Sequence, residues 1–228
     1  MAHPDSRAQL RAVLFDLDGT LLDTAPDMVG ALNTLRREHG LAPLPYDRVR
    51  PGVSHGAVRL LKIGFPDAGA DSIPALQQRY LDIYRGALAV GTRLFAGMDG
   101  VLDALTRRGL KSGIVTNKPS WLTDPLLDQL GLRARFECVV SGDSVAQCKP
   151  HPLPLLHAAT LAGVSPHECI YVGDAERDVQ AAHAAGMPAL VANYGYLQDG
   201  EDTTCWRGDA YLEKPSDLLG WLDASGRA

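Results

Sequence analysis

Two aspartates separated by one residue, Asp16 and Asp18, close a short apolar run and open the segment Asp16-Leu17-Asp18-Gly19-Thr20-Leu21-Leu22-Asp23-Thr24. Carboxylates set just beyond a buried strand carry a desolvation cost unless they hold a cation or take part in chemistry. Gly19 permits a sharp turn, so both acids can face one pocket. The plain alternative is an acidic turn, since Asp and Gly are common turn residues. Three further segments weigh against it. Thr116-Asn117-Lys118 offers a hydroxyl and amides suited to phosphate oxygens. Lys149 lies in Cys148-Lys149-Pro150-His151-Pro152, a proline-flanked loop able to hold an ammonium in place. Gly173-Asp174-Ala175-Glu176-Arg177-Asp178 adds two acids four residues apart. No single segment decides the matter, but four polar clusters in this order point to a site that handles anions.

The elements that must position these clusters are short apolar runs: Ala12 to Phe15, Gly113 to Val115, Cys138 to Val140, Cys169 to Val172 and Ala189 to Val191. Their brevity and two-sided hydrophobicity predict strands buried on both faces. Helical patterns lie between them at Gly100 to Arg108, Trp121 to Leu130, Leu153 to Ala162 and Glu176 to Ala185. Alternation of this kind predicts βαβ units, an α/β fold and a mostly parallel sheet. In such sheets ligands bind beyond the carboxyl ends of the strands, where the polar clusters stand.

The stretch from Asp23 to about Gly91 breaks the rhythm. Thr24-Ala25-Pro26-Asp27 predicts a helix start, with Thr24 as cap, Pro26 in the first turn and an acid three residues after the cap. Met28, Leu32 and Leu35 follow at helical spacing, and Gly40 can end the helix. Further helices are expected over Ser54 to Lys62 and Ile73 to Leu88, with no buried strand among them. The expected organisation is an α/β core of residues 1–22 and 92–228 with a helical cap of residues 23–91, hinged near Asp23–Thr24 and Val90–Gly91.

Bulk properties narrow the class. The 228 residues are 46% hydrophobic and 21% charged, enough to fill a core. A formal net charge of −5 argues against nucleic acid and against an anionic membrane surface as partners. The cysteines Cys138, Cys148, Cys169 and Cys205 form no C-x-x-C pair, which reads as reduced thiols. No segment approaches the length of a signal peptide or a membrane span, so a cytoplasmic protein is expected.

With these motifs in place, the sequence resembles the haloacid dehalogenase superfamily. Its phosphatase branch carries D-x-D-G-T, a Thr or Ser after the second strand, a loop Lys and G-D-x-x-x-D, all present here in order. The resemblance covers Arg11 to about Asn193 and implies a Rossmann-like sheet with a helical cap inserted after the first strand. The runs DGTLLDT, VTNKP, KPHP and GDAERD resemble phosphoglycolate phosphatases. The stretches Arg93 to Met98, Val115 to Pro119 and Tyr194 to Tyr196 also resemble a subgroup that includes N-acetylmuramic acid 6-phosphate phosphatases.

The resemblance implies roles for the core residues. Asp16 would be the nucleophile, forming an aspartyl-phosphate. Mg²⁺ would be held by Asp16, the Asp18 carbonyl and Asp174, with Asp178 ligating through water or orienting Asp174. Asp18 would serve as acid and then base. Thr116, Asn117 and Lys149 would bind the phosphoryl group. In the cap, Arg50 is the candidate for a substrate carboxylate, against the alternative of a solvated surface arginine, and His55 is left open. The expected partner is a small phosphorylated metabolite that bears a carboxylate.

Rival readings fare less well. Gly52-Val53-Ser54-His55-Gly56 matches the G-x-S-x-G serine hydrolase elbow, but Asp47-Arg48-Val49-Arg50-Pro51 is no buried strand to precede it. A dehalogenase needs no acid for its leaving group, so Asp18 favours phosphate. A phosphomutase would use the same core. A non-catalytic phosphate-binding regulator would be expected to lack Asp16 or Asp18, and both are present.

Overall fold

The computed structural model of the chain describes residues 9–198 and 200–226. Its centre is a parallel sheet whose first strand, β1 (Ala12–Phe15), is fully buried. It pairs on one side with β4 (Lys111–Val115), which pairs with β5 (Cys138–Val140). On its other side lie β6 (Cys169–Gly173), β7 (Ala189–Ala192) and β8 (Ala210–Leu212). The order β5-β4-β1-β6-β7-β8 reverses direction beside β1, the topology that leaves a crevice at the carboxyl ends of the central strands.

Strand residues alternate between two apolar layers, as a period of two requires. Val13, Phe15, Ile170 and Val172 pack with α5 (Met98–Arg107), α6 (Ser120–Gln129) and α9 (Asp217–Ser225). Ala12, Leu14, Cys169 and Tyr171 pack with α7 (Leu153–Ala162) and α8 (Glu176–Ala184). All five expected strands are present. The edge strand β8 and the helix α9 are not among the expected elements.

After β1 the chain forms β2 (Leu22–Asp23), which pairs antiparallel with β3 (Arg93–Leu94). Between these strands lie α1 (Ala25–Glu38), α2 (Tyr46–Val49), a 3₁₀ turn (Arg50–His55), α3 (Gly56–Gly64) and α4 (Ile73–Arg85). The expected helix from Ser54 is split: its first residues belong to the 3₁₀ turn, and Gly56, at φ +76°, starts α3. The β2–β3 pair is a stem that local sequence does not reveal, because two-residue strands have no periodicity to read.

Helix α1 begins where expected, but its two polar starters are diverted. Thr24 does not cap the helix; its hydroxyl donates to Asp18 Oδ1 at 2.7 Å. The buried Asp27 accepts from Gly91 N (2.7 Å), Thr92 N (2.9 Å) and Thr92 Oγ1 (2.7 Å), so it fastens the returning strand to the departing helix. A carboxylate with three donors across the stem gains more than one at an exposed helix end.

Candidate active site

Three of the four polar clusters sit at the ends of central strands, and the fourth, around Lys149, lies in the loop between β5 and α7. Asp16 follows β1 directly, Thr116 follows β4, and Asp174 follows β6. Asp16 is 3% exposed. Its Oδ1 accepts from Leu17 N at 2.7 Å and lies 3.0 Å from Lys149 Nζ, while Arg177 Nη2 lies 3.9 Å from Oδ2.

Asp16, Asp174 and Asp178 each offer a carboxylate oxygen, all within 4.8 Å of one another and all buried. Asp174 Oδ2 accepts from Ser54 Oγ at 2.5 Å and from Tyr196 N at 3.0 Å, whereas its buried Oδ1 has no hydrogen-bond partner. Burial first, and then the charges of Asp16 and Asp178, push the Asp174 carboxyl up to about 7. Three carboxylates here face two cations, Lys149 and Arg177, which leaves an excess of negative charge before any phosphate arrives. An oxygen-only donor set with an orphaned oxygen fits a hard divalent cation such as Mg²⁺. The side chain of Asp18 lies outside this cluster.

The backbone is shaped to admit these acids. Gly19 adopts φ +85°, and a Cβ there would stand 2.0 Å from Asp174 Oδ2. At Gly173 a Cβ would stand 2.4 Å from Asp178 Cβ. Any side chain at either position would displace an acid of the cluster.

Lys149 does not reach the open side of the site. Its ammonium donates to Tyr171 Oη (2.6 Å) and Val115 O (2.9 Å) and is ion-paired with Asp16 Oδ1 (3.0 Å) and Asp178 Oδ1 (2.7 Å). It stands beside Asp16, fully buried, with its ammonium directed at these protein oxygens. Asn117 is likewise engaged: Nδ2 donates to Lys149 O at 2.9 Å and Oδ1 accepts from Lys149 N at 3.0 Å. These two bonds tie its side chain to the lysine backbone, and each end of the amide keeps one further hydrogen-bonding position.

Between core and cap lies a cavity of about 440 Å³, lined on the core side by Asp16, Asp18, Thr116, Lys118 and Arg177. The cap contributes Met28, Val53, Ser54, His55, Gln77, Tyr80 and Tyr84. Arg50 is not among the lining residues. Its guanidinium is held 4.8 Å from the Tyr196 ring centroid, so the side chain expected to meet a substrate carboxylate is turned toward the stem.

Four residues of the site are not identified by sequence reasoning. Lys118 Nζ bonds both oxygens of Asp18, at 3.0 and 3.1 Å. Burial alone would push its pKa down, but Asp18 more than reverses that and holds it above the ordinary lysine value. Arg177 Nη2 donates to Ser54 O at 2.7 Å while facing Asp16. Tyr196 bonds Asp174 through its amide, and its hydroxyl donates to Asp23 Oδ1 (2.7 Å) and accepts from Ala25 N (2.9 Å). Lys118 and Arg177 adjoin recognised motifs, and that adjacency is the signal that could have found them. Tyr196 lies in a stretch of resemblance that assigned it no role, and the partners of Ser54 and Tyr196 lie far away in the chain. Phe95 and Tyr194, which belong to the stretches of resemblance, pack edge to face with centroids 5.1 Å apart.

A three-layer α/β fold with a helical cap and an acidic cluster at the carboxyl ends of its central strands defines a hydrolase of the phosphate-handling type. The profile of the haloacid dehalogenase-like hydrolases matches residues 13–192, and the chain belongs to that family. A phosphoglycolate phosphatase of Xylella fastidiosa (strain 9a5c) is 44% identical over 212 residues, covering 93% of each chain. An N-acetylmuramic acid 6-phosphate phosphatase of Pseudomonas aeruginosa is 37% identical over 218 residues, covering 95% of this chain and 96% of the other. The crystal structure of a predicted phosphoglycolate phosphatase from Haemophilus somnus superposes with a TM-score of 0.82 at 26% identity, covering 95% and 99% of the two chains. The protein is a phosphatase. Among the described residues no helix is long and apolar enough to cross a membrane.

Proposed function

We propose that this phosphatase hydrolyses small phosphomonoesters with Mg²⁺ by way of an aspartyl-phosphate on Asp16, its core spanning residues 1–22 and 92–228 and its cap residues 23–91. One observation carries the reading: Asp16 is fixed through Oδ1 by Leu17 N and Lys149, beside an acidic cluster that retains an unpartnered oxygen. That arrangement leaves Oδ2 to attack phosphorus. Asp16, Asp174, Asp178 and the Asp18 carbonyl would hold the metal, which offsets the repulsion between carboxylate and phosphate when bound. Asp18 protonates the departing alkoxide, and after it leaves takes the proton of the water that hydrolyses the intermediate. Thr116 and Arg177 face the phosphoryl oxygens from the cavity wall, while Lys149 stabilises Asp16 from beside it.

The relatives at 44% identity favour 2-phosphoglycolate as substrate. A second reading, N-acetylmuramic acid 6-phosphate or another sugar phosphate, is favoured by the cavity. Its volume of about 440 Å³ exceeds what a two-carbon acid fills and falls in the roughly 300–1,000 Å³ range of sites that enclose drug-sized ligands. Its cap wall is largely apolar and aromatic; both candidate acids carry a carboxylate, so the volume, and not the turning away of Arg50, is what separates them. The test is a kcat/KM panel of both compounds and simple hexose phosphates, run with Mg²⁺ and again in excess EDTA. Turnover is expected to vanish with EDTA; undiminished turnover there would overturn the metal assignment. A preference for phosphoglycolate over both sugars would reject the second reading, and the reverse order would reject the first.

A further inference from the structure

Asp18 is held by two side chains, and the cap reaches both. Its Oδ1 accepts from Thr24 Oγ1 at 2.7 Å, and Lys118 Nζ bonds both of its oxygens. Thr24 is the residue at which the chain leaves the stem for α1. The Lys118 ammonium lies 4.7 Å from the ring centroid of Tyr84, on α4 of the cap. Lys118 and Tyr84 are both buried, at 8% and 1% exposure, so little solvent screens the contact between ammonium and ring.

We propose that Lys118, seated against Tyr84, is a positioning residue that sets Asp18 for proton transfer and makes this setting depend on the closed cap. The proposal rests on the acid–base role given to Asp18 above. An aspartate side chain at a loop carries two free torsions, and proton transfer requires its oxygen within about 2.6–3.2 Å of the leaving atom. Displacement of a reacting group by about 1 Å can cost on the order of 100-fold in rate. The ammonium and the Thr24 hydroxyl together fix both torsions. With Tyr84 carried by the cap, movement of α4 away from the core removes one wall of the ammonium's seat and frees Lys118 to leave Asp18. The acid is thereby assembled where water has been excluded, and is loosened when the cap is open.

A leaving-group comparison tests this. The nitrophenolate of 4-nitrophenyl phosphate departs with little need for a proton, whereas an alkoxide requires one. Tyr84→Leu and Lys118→Met are to be measured beside Asp18→Asn on 4-nitrophenyl phosphate and on the better of phosphoglycolate and N-acetylmuramic acid 6-phosphate. Expected for both variants is a loss of about 10-fold or more in kcat on the alkyl phosphate, and a clearly smaller loss on the aryl phosphate. KM should move little, and Tyr84→Phe, which keeps the ring, should restore the wild-type pattern. Equal losses on the two substrates, or a change confined to KM, would assign Lys118 to substrate binding and overturn the proposal. If Asp18→Asn discriminates between leaving groups and the two variants do not, the positioning role alone is refuted. If Asp18→Asn itself fails to discriminate, the acid role falls with it. Should Lys118→Met not fold, the Tyr84→Leu and Tyr84→Phe pair decides.

Discussion

The hydroxyl of Ser54, carried by the cap, donates a 2.5 Å hydrogen bond to Oδ2 of Asp174, an acid of the core cluster. Arg177 of the core returns the contact by donating to Ser54 O at 2.7 Å. The cap is therefore seen closed on the acidic cluster itself rather than on neutral core surface. A bond to a charged group contributes about 1.5–3 kcal/mol. Ser54→Ala should shift the cap toward open by up to that amount and lower kcat/KM several-fold. Limited proteolysis at the stem, compared with wild type, checks the shift; unchanged cleavage rates would show that this bond does not hold the cap.

Asp16→Asn should abolish turnover while the fold persists. The amide keeps the shape but lacks the nucleophilic oxygen, so kcat is expected to fall by roughly 10³-fold or more. Lys149 keeps its bonds to Asp178, Tyr171 and Val115 in this variant, which protects the core. Steady-state kinetics and circular dichroism together check both halves. A near-normal rate on an alkyl phosphate would exclude the covalent route.

Lys149→Met should damage stability as well as rate. The ammonium is fully buried and lies 3.0 Å from Asp16 and 2.7 Å from Asp178. Removing one partner of a buried ion pair costs about 3–5 kcal/mol, because the remaining charge is left without compensation. Urea unfolding should show that loss in metal-free buffer. Added Mg²⁺ should recover part of it by neutralising the same carboxylates, and no recovery would argue against a cation site at Asp16 and Asp178.

Asp174 predicts a pH dependence whose sign can be worked out. Its carboxyl is pushed up to about 7 by burial and then by the charges of Asp16 and Asp178, from about 3.9 in an unfolded chain. Between those values the folded state binds the proton more tightly. This group's contribution to stability is fully present below about pH 4 and is lost as pH rises through about 7. In metal-free buffer Tm should therefore fall across that window, and Asp174→Asn should flatten the slope. Since a metal ion takes the ionised carboxylate, Mg²⁺ should raise Tm more at about pH 8 than at about pH 5. Equal gains at both would refute the assignment of Asp174 as a ligand.

Tyr196→Phe removes a hydroxyl that joins Asp23 of the stem to the first amide of α1. Two bonds are lost at a buried position, and a destabilisation of about 1–3 kcal/mol is expected. Thermal unfolding measures it. The aromatic packing with Phe95 should survive, so a larger loss would point to collapse of the whole aromatic cluster.

Which strand ends carry the chemistry is legible from local residue order. Each of β1, β4, β5, β6 and β7 is a local apolar run, and each acid or hydroxyl at its end is fixed to that end by chain connectivity. Asp16, Thr116 and Asp174 are therefore placed by connectivity alone. The cap is legible as an insertion for a related reason, because helical periodicity differs from strand periodicity over a dozen residues. Tertiary structure alone decided where side chains on long or flexible stems point. Arg50 turns to the ring of Tyr196, a residue remote in sequence, and leaves the cavity. Lys149 goes beside Asp16 because four oxygens from four different segments converge there. Thr24 and Asp27 leave the helix start for Asp18 and the returning strand. Ser54 meets Asp174 across the gap between cap and core. Apart from Thr24 and Asp18, six residues apart, these partners are distant in the chain, and only packing sets the distance between them.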